Sequence, residues 1–307
     1  MTTQPSPTVH YPPISIGVVT HERADAFAKL LQALTHAVKH YPSECELLVA
    51  NNSGASAHNL IADIIQTSGI ETLCSCRLLD SVENSISVGR NLVLDNVSHQ
   101  HMAFIDDDEY PVEQWLTHLV DTMREFDCAL VAGPIIPVFA DDTPTWITSV
   151  DLHNASGLRT GERLDYAATG NFLMNRQGVE KLRFKDAFGK SGGEDTEFFL
   201  RLKDHGLVLR WSEQAAVYED VPPAKACARF MIRRFMTQGR NYRTILEGRG
   251  QIPSRVLFVT RAAIQCVVAL SIGAVLLLVK PAAAGNWLKR GFANLGKIVD
   301  PNHSLYS

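Results

Sequence analysis

No glycine follows the first apolar run: Thr20-His21-Glu22-Arg23 offers no Gly-rich phosphate loop. A cradle of backbone amides needs glycine for close approach, so a nucleotidyltransferase of that type is disfavoured. The six cysteines lack paired zinc spacing, and Cys74-Ser75-Cys76 is their only close pair. That excludes a zinc module or disulfide framework and fits a reduced, cytosolic catalytic part. Histidines are scattered without ligand spacing, so His21, His36, His153 and His205 receive no metal role. Residues 1–13 contain no apolar run of signal-peptide type and read as a disordered leader. No internal repeat is visible.

Acidic residues are nearly missing from the end of the chain. Residues 225–307 hold 13 Lys and Arg but only Glu247 and Asp300, whereas residues 1–224 hold 16 Lys and Arg against 31 Asp and Glu. A basic tail on an acidic body suits a polyanionic partner such as a membrane surface. No aromatic stacking platform accompanies the tail, which argues against nucleic acid. The tail also contains an uncharged apolar run, residues 262–279, bounded by Arg261 and Lys280. Its 18 residues sit at the lower limit for a spanning helix. A span, an interfacial or re-entrant helix and a buried core helix all remain open, and the flanking charges favour no orientation.

The rest is ordinary globular material, 46% hydrophobic and 20% charged over 307 residues. Periodicity predicts strands over 14–19, 46–50, 77–79, 102–105 and 128–131. Helices are predicted over 23–39, 60–65, 87–97 and 111–126, with Pro111 in a first turn. This alternation implies a parallel sheet with helices on both faces, whose ligands bind beyond the carboxyl ends of the strands. Thr20, Asn51, Asp80 and Asp106 fall at those ends. Later elements are less regular: a long loop over 139–163, strands over 166–174, 207–211 and 215–218, and helices over 194–203 and 224–246.

The densest chemistry is Phe104-Ile105-Asp106-Asp107-Asp108-Glu109, three carboxylates at the end of a short apolar run. Hard divalent cations prefer such oxygen ligands, and Mg²⁺ is usually shared with phosphate. Side-chain alternation turns Asp107 away as a solvated carboxylate. Glu109 is expected at a helix N-terminus, matched to its dipole. Glu194 and Asp195 follow Gly192-Gly193 and open a helix, either as acids suited to that end or as chemistry.

Several segments together resemble the family 2 glycosyltransferases. They are Ser15 to Arg23, Val88-Gly89-Arg90-Asn91, Phe104 to Glu109, Thr169-Gly170-Asn171, and Ser191-Gly192-Gly193-Glu194-Asp195. The resemblance covers residues 14–245. With Val221-Pro222 before an Arg-rich helix, it is most similar to the succinoglycan-type bacterial polysaccharide glucosyltransferases. It implies a GT-A (Rossmann-like) α/β fold with a mostly parallel central sheet over 14–224. Residues 14–135 would bind the nucleotide sugar and 136–224 the acceptor, and 225–307 would form a membrane-associated helical region. It also implies inverting transfer of a hexose from a nucleotide-diphosphate sugar, a UDP-sugar, with Mn²⁺ or Mg²⁺. The acceptor would be a saccharide or polyprenyl-linked oligosaccharide in exopolysaccharide or lipopolysaccharide synthesis, at the cytoplasmic face of the bacterial inner membrane.

By the same resemblance Asp108 binds the metal, and Asp106 reaches the metal or the ribose. Asp195 is the general base, and Glu194 orients the acceptor or the helix start. Thr20, His21 and Arg23 line the nucleotide pocket. Arg90 is either a nucleotide contact or a salt-bridge partner. The second strand ends in Ala50-Asn51 where relatives have an Asp, so Asn51 stands in for a uracil contact. Glu219 either replaces a metal-ligating His or is structural. Arg233, with Arg229, Arg234 and Arg240, holds a diphosphate or faces the membrane. The rival reading is an inactive membrane-bound scaffold, which the presence of both key acids disfavours.

Overall fold

The computed structural model describes residues 10–189 and 192–299. Most of the expected leader, and Ser191 of the second acidic motif, lie outside the described residues. At the edge of that leader Tyr11 is packed: its hydroxyl donates to Asp121 (2.9 Å) and its ring meets Tyr41 edge-on.

The first half alternates as the pattern demands: β1 (Ile14–Thr20), α1 (Ala24–His40), β2 (Cys45–Asn51), α2 (His58–Ser68), β3 (Ser75–Asp80), α3 (Ile86–Asn96) and β4 (His101–Ile105). Then come β5 (Glu109–Pro111), α4 (Trp115–Glu125), β6 (Leu130–Ala132), β7 (Ile135–Val138) and the single turn α5 (Thr145–Thr148). The chain continues through β8 (Arg163–Leu164), β9 (Asn171–Asn175), α6 (Glu194–Asp204), β10 (Leu209–Trp211) and β11 (Val217–Asp220). Three helices close it: α7 (Ala228–Gly248), α8 (Arg255–Val279) and α9 (Pro281–Ile298).

The main sheet has the order β3-β2-β1-β4-β9-β6-β10-β8. Its first four strands are parallel, and β9 is inserted antiparallel between β4 and β6. Alternation sorts each strand into two cores. Ile14, Ile16, Val18, Leu47 and Val49 face α1, α2 and α4, against Phe27, Leu30, Leu34, Ile61 and Trp115. Leu48, Ala50, Phe104 and Phe172 face α3 and α6, against Val93, Phe198, Phe199 and Leu202. Each fully buried large side chain contributes about 1.5–3 kcal/mol. A smaller sheet, β5-β11-β7, covers the open end.

Pro111 does not start a helix. Residues 109–111 pair antiparallel with β11, and α4 begins at Trp115. The partner strand lies far along the chain, and its hydrogen bonds outcompete the local signal. Glu109 is consequently buried in the small sheet, opposite Glu219, instead of capping a helix.

Candidate active site

Register brings the functional ends together. Thr20 pairs with Asn51 and Asn51 with Asp80, so β1, β2 and β3 end on one line. Ile105 pairs with Asn171, which places the start of β9 at the same edge. The chain leaves β4 in a tight turn, with Glu109 N–H donating to the Asp106 carbonyl (3.2 Å).

That turn ends the strand's alternation, so the three aspartates fan out differently from expectation. Asp106 is the open one, its side chain 40% exposed. Asp107, expected to be solvated, is buried; it accepts from Arg23 Nη1 (2.8 Å) and from the His21 backbone N–H (3.1 Å). Burial raises its pKa, against the pull of Arg23. Asp108 faces two cations, Arg23 Nη1 at 2.8 Å and Lys225 Nζ at 3.3 Å.

Glu109 lies beneath them. Burial, then the charges of Asp106, Glu219 and Asp108, hold its carboxyl well above the ordinary range. It fits there because residue 170 is glycine: a Cβ would stand 2.3 Å from Glu109 Oε1. Glu219 behaves oppositely. Burial pushes its pKa up, but a hydrogen bond with His153 Nε2 (3.2 Å), helped by Arg234 and Lys225, brings it below normal.

Among the described residues no three His, Cys, Asp or Glu side chains form a metal-binding group. Of the expected ligands Asp106, Asp108 and Glu219, the last is engaged by His153. Two carboxylates at one strand end still fit an ion of the Mg²⁺ type, which takes one or two carboxylates and completes its shell with phosphate and water.

Helix α6 supplies the other acids. Gly193 caps it in the left-handed region (φ +91°), where a Cβ would also stand 3.0 Å from the Cβ of Asn241. Asp195 Oδ1 accepts from the Thr196 N–H (2.6 Å). Burial and the adjacent Glu194 charge push Asp195 up to about 6. That suits a base operating near neutral pH.

Arg90 joins the two acidic groups. It is buried on α3, donating from Nη1 to Glu194 Oε1 (2.6 Å) and from Nη2 to Asp106 Oδ1 (3.0 Å). The guanidinium thus makes salt bridges to both acidic groups.

A cleft of about 350 Å³ opens beside β1 and β2, lined by Thr20, Glu22, Arg23, Phe27, Ser53 and Leu60. Thr20 and Arg23, both expected to line the nucleotide pocket, are among its lining residues. His21 is turned aside: its Nδ1–H donates to the Asn52 carbonyl (2.9 Å), and Nε2 accepts from Asn84 (3.2 Å). Asn51 is wholly buried, its Nδ2 donating to Gly54 O (2.9 Å) and Asp80 Oδ1 (2.7 Å) while Oδ1 accepts from Ser53 N–H (2.9 Å). These bonds shape the turn that follows β2. Arg233 is partly exposed on α7, and Arg234 acts electrostatically on Glu219.

Lys225 and His153 were missed from sequence. Lys225 sits in an unpatterned Pro-Pro-Ala-Lys segment, and His153 in a loop without ligand spacing. Asp80 was seen as a strand end, but its bonds to Asn51 and to His58 Nδ1 (2.8 Å) depend on pairing between distant segments.

A sequence model described as Glycosyl transferase family 2 matches residues 15–188, more than half of the chain. The succinoglycan biosynthesis protein ExoM of Rhizobium meliloti (strain 1021) is 32% identical over 247 residues, covering 79% of this chain and 77% of its own length. Among solved structures, the fold resembles the mannosyltransferase PcManGT from Pyrobaculum calidifontis, in complex with GDP-Man and Mn²⁺. The TM-score is 0.66 at 16% identity, over 97% of this chain and 90% of that one. It also resembles residues 1–349 of S. aureus TarS in complex with UDP, with TM-score 0.52 and 14% identity over 93% and 90% of the two chains. The chain spans 53% of a longer TarS structure.

Proposed function

The chain belongs to glycosyl transferase family 2 and is a glycosyltransferase; on that premise we propose inverting, metal-dependent hexosyl transfer from a UDP-sugar to a lipid-linked saccharide. The setting is cell-surface polysaccharide synthesis at the cytoplasmic face of the bacterial inner membrane. The similarity to ExoM, a succinoglycan biosynthesis protein, supports that setting. A relative of similar fold with bound UDP, and another with GDP-Man and Mn²⁺, support the donor class.

One observation carries the reaction: the Arg90 fork, which ties donor-side Asp106 to Glu194 beside Asp195. Two carboxyl environments of different character are thereby joined through one guanidinium. Asp106 and Asp108 would hold Mn²⁺ or Mg²⁺, which neutralises charge on the diphosphate. Thr20 and Arg23 line the cleft that takes the nucleoside. Asp195 takes the proton of the acceptor hydroxyl as its oxygen attacks the anomeric carbon. The bond from that carbon to the phosphate oxygen breaks on the opposite face, and the nucleoside diphosphate leaves. One displacement gives inversion. Glu194, fixed by Arg90, sets the start of α6 and so the position of the base.

The test offers purified protein UDP-, GDP- and dTDP-sugars with membrane-lipid extract and Mn²⁺ or Mg²⁺. Release of nucleoside diphosphate from a UDP-hexose, lost in Asp108→Ala and in Asp195→Asn, is expected. Absence of turnover and of metal-dependent nucleotide binding across the whole panel would overturn the reading.

A further inference from the structure

Helix α8 is apolar on both faces. One face carries Ala262, Cys266, Ala269 and Gly273, and these are buried against α9. The opposite face carries Leu257, Ile264, Val268, Val275 and Leu278, all exposed, Leu278 to 88%. The helix has a mean hydropathy of 2.6 over its most apolar 18 residues, of which 22% are buried, so it is not a core helix.

Its packing fixes its direction. A Cβ on Gly273 would meet Leu288, and one on Gly291 would meet Leu270, so α8 and α9 run antiparallel side by side. A Cβ on Gly239 would meet the Ala293 carbonyl, and one on Gly296 the Met236 carbonyl, so α9 lies equally close along α7. Polar bonds pin α9 to the loop after α5 at its middle and to α7 near its C-terminal end. Lys289 Nζ donates to the Asp151 carbonyl and to Asn154 Oδ1, and Arg243 donates to the Lys297 carbonyl. Were α8 to cross a bilayer in this arrangement, α9 and the Arg-rich α7 would be drawn into hydrocarbon with it. Charged groups at that depth are strongly disfavoured.

We infer that α8 lies in the plane of an anionic lipid leaflet, its outer apolar face sunk among the acyl chains and its length of about 37 Å parallel to the surface. Exposed basic residues stand at the ends of α8, Arg255 and Arg261 at one and Lys280 at the other, and on α9 the exposed Arg290 stacks over the Trp287 ring. Basic residues beside a membrane are attracted by anionic headgroups, and tryptophan favours the interfacial layer. The inference rests on the membrane partner proposed above and not on the reaction itself.

The test floats full-length protein with phosphatidylcholine vesicles and with phosphatidylcholine–phosphatidylglycerol vesicles. Binding to the anionic vesicles is expected to exceed binding to the neutral ones at least about tenfold and to weaken with salt. The variant Ile264→Asp/Val268→Asp/Val275→Asp changes exposed positions only and should abolish flotation while donor hydrolysis persists in solution. Lys280→Cys, in a Cys227→Ser background, should react with a membrane-impermeant maleimide added outside. Protection of that cysteine, with resistance to alkaline extraction, would mean a span and overturn the inference. So would absence of vesicle binding together with dimerisation that the triple variant abolishes, which would make the occupant a second copy. Hydrolysis measured in the same samples separates these failures from failure of the glycosyl-transfer reading.

Discussion

Asp195→Asn yields two opposed effects from one carboxyl. Burial and the Glu194 charge raise Asp195 from 3.8 to about 6. At about 1.4 kcal/mol per pKa unit, the full shift corresponds to about 3 kcal/mol, reduced by solvent at the partly open carboxyl to roughly 2 kcal/mol. A group whose folded pKa lies above its unfolded value holds its proton more tightly when folded. Stability therefore falls as pH rises from 3.8 to about 6, and stays lower above that window. Asparagine cannot ionise, so the variant should match the parent near pH 4 and exceed it by roughly 2 kcal/mol above about pH 7, a rise of about 5 °C in Tm. Loss of the base should lower turnover about 10²–10⁴-fold. Parent kcat/KM should rise with pH to a plateau above about pH 6. Thermal melts across this range, paired with donor-turnover assays, measure both effects. A Tm difference that ignores pH, or a variant that keeps its turnover, would refute the account.

Arg90→Ala leaves Glu194 buried without its partner and should cost about 3–5 kcal/mol in a denaturant titration. Arg90→Lys keeps the charge but cannot span both acids, so it should retain most stability while kcat falls more than KM changes. Glu109→Gln mimics the neutral form that burial and the neighbouring carboxylates favour, so it should shift stability by less than about 1 kcal/mol at neutral pH; a larger loss by calorimetry would refute this. Gly170→Ala drives a methyl into the Glu109 carboxyl and should cost about 1–3 kcal/mol, with partial rescue by Glu109→Ala.

The first half of the chain was legible because its signals are local. Each parallel strand is a short apolar run closed by a polar residue, and register alone then aligns Thr20, Asn51 and Asp80. The Asp triplet announced itself as consecutive charge. What failed was every inference that extended a local rule past the end of an element. Alternation predicted a solvated Asp107, but the chain turns after Ile105 and Asp107 instead carries Arg23. Helix signals around Pro111 were outweighed by pairing with β11. Asn51 sits at the right strand end, yet its amide is consumed by Gly54, Asp80 and Ser53. The separate helix α9 went unread because its alanines and glycines carry little apolar pattern; they are small so that α7, α8 and α5 can approach its backbone.

Arg90 shows why such a residue could be named but not placed. Its neighbours in sequence are a helix start, and its partners lie on β4 and α6. Burying a guanidinium loses hydration that two carboxylates only partly restore, so stability alone is a weak reason for the arrangement. Geometry is a stronger one. Arg90 Nη1 holds Glu194 at 2.6 Å and Nη2 holds Asp106 at 3.0 Å. A planar fork gripping both fixes the spacing between the strand end proposed to face the phosphates and the helix proposed to carry the base. Displacement of reacting groups by about 1 Å costs on the order of 10²-fold in rate, so a rigid link between the two halves is worth its desolvation. A point charge on a flexible stem would leave that spacing to the substrate.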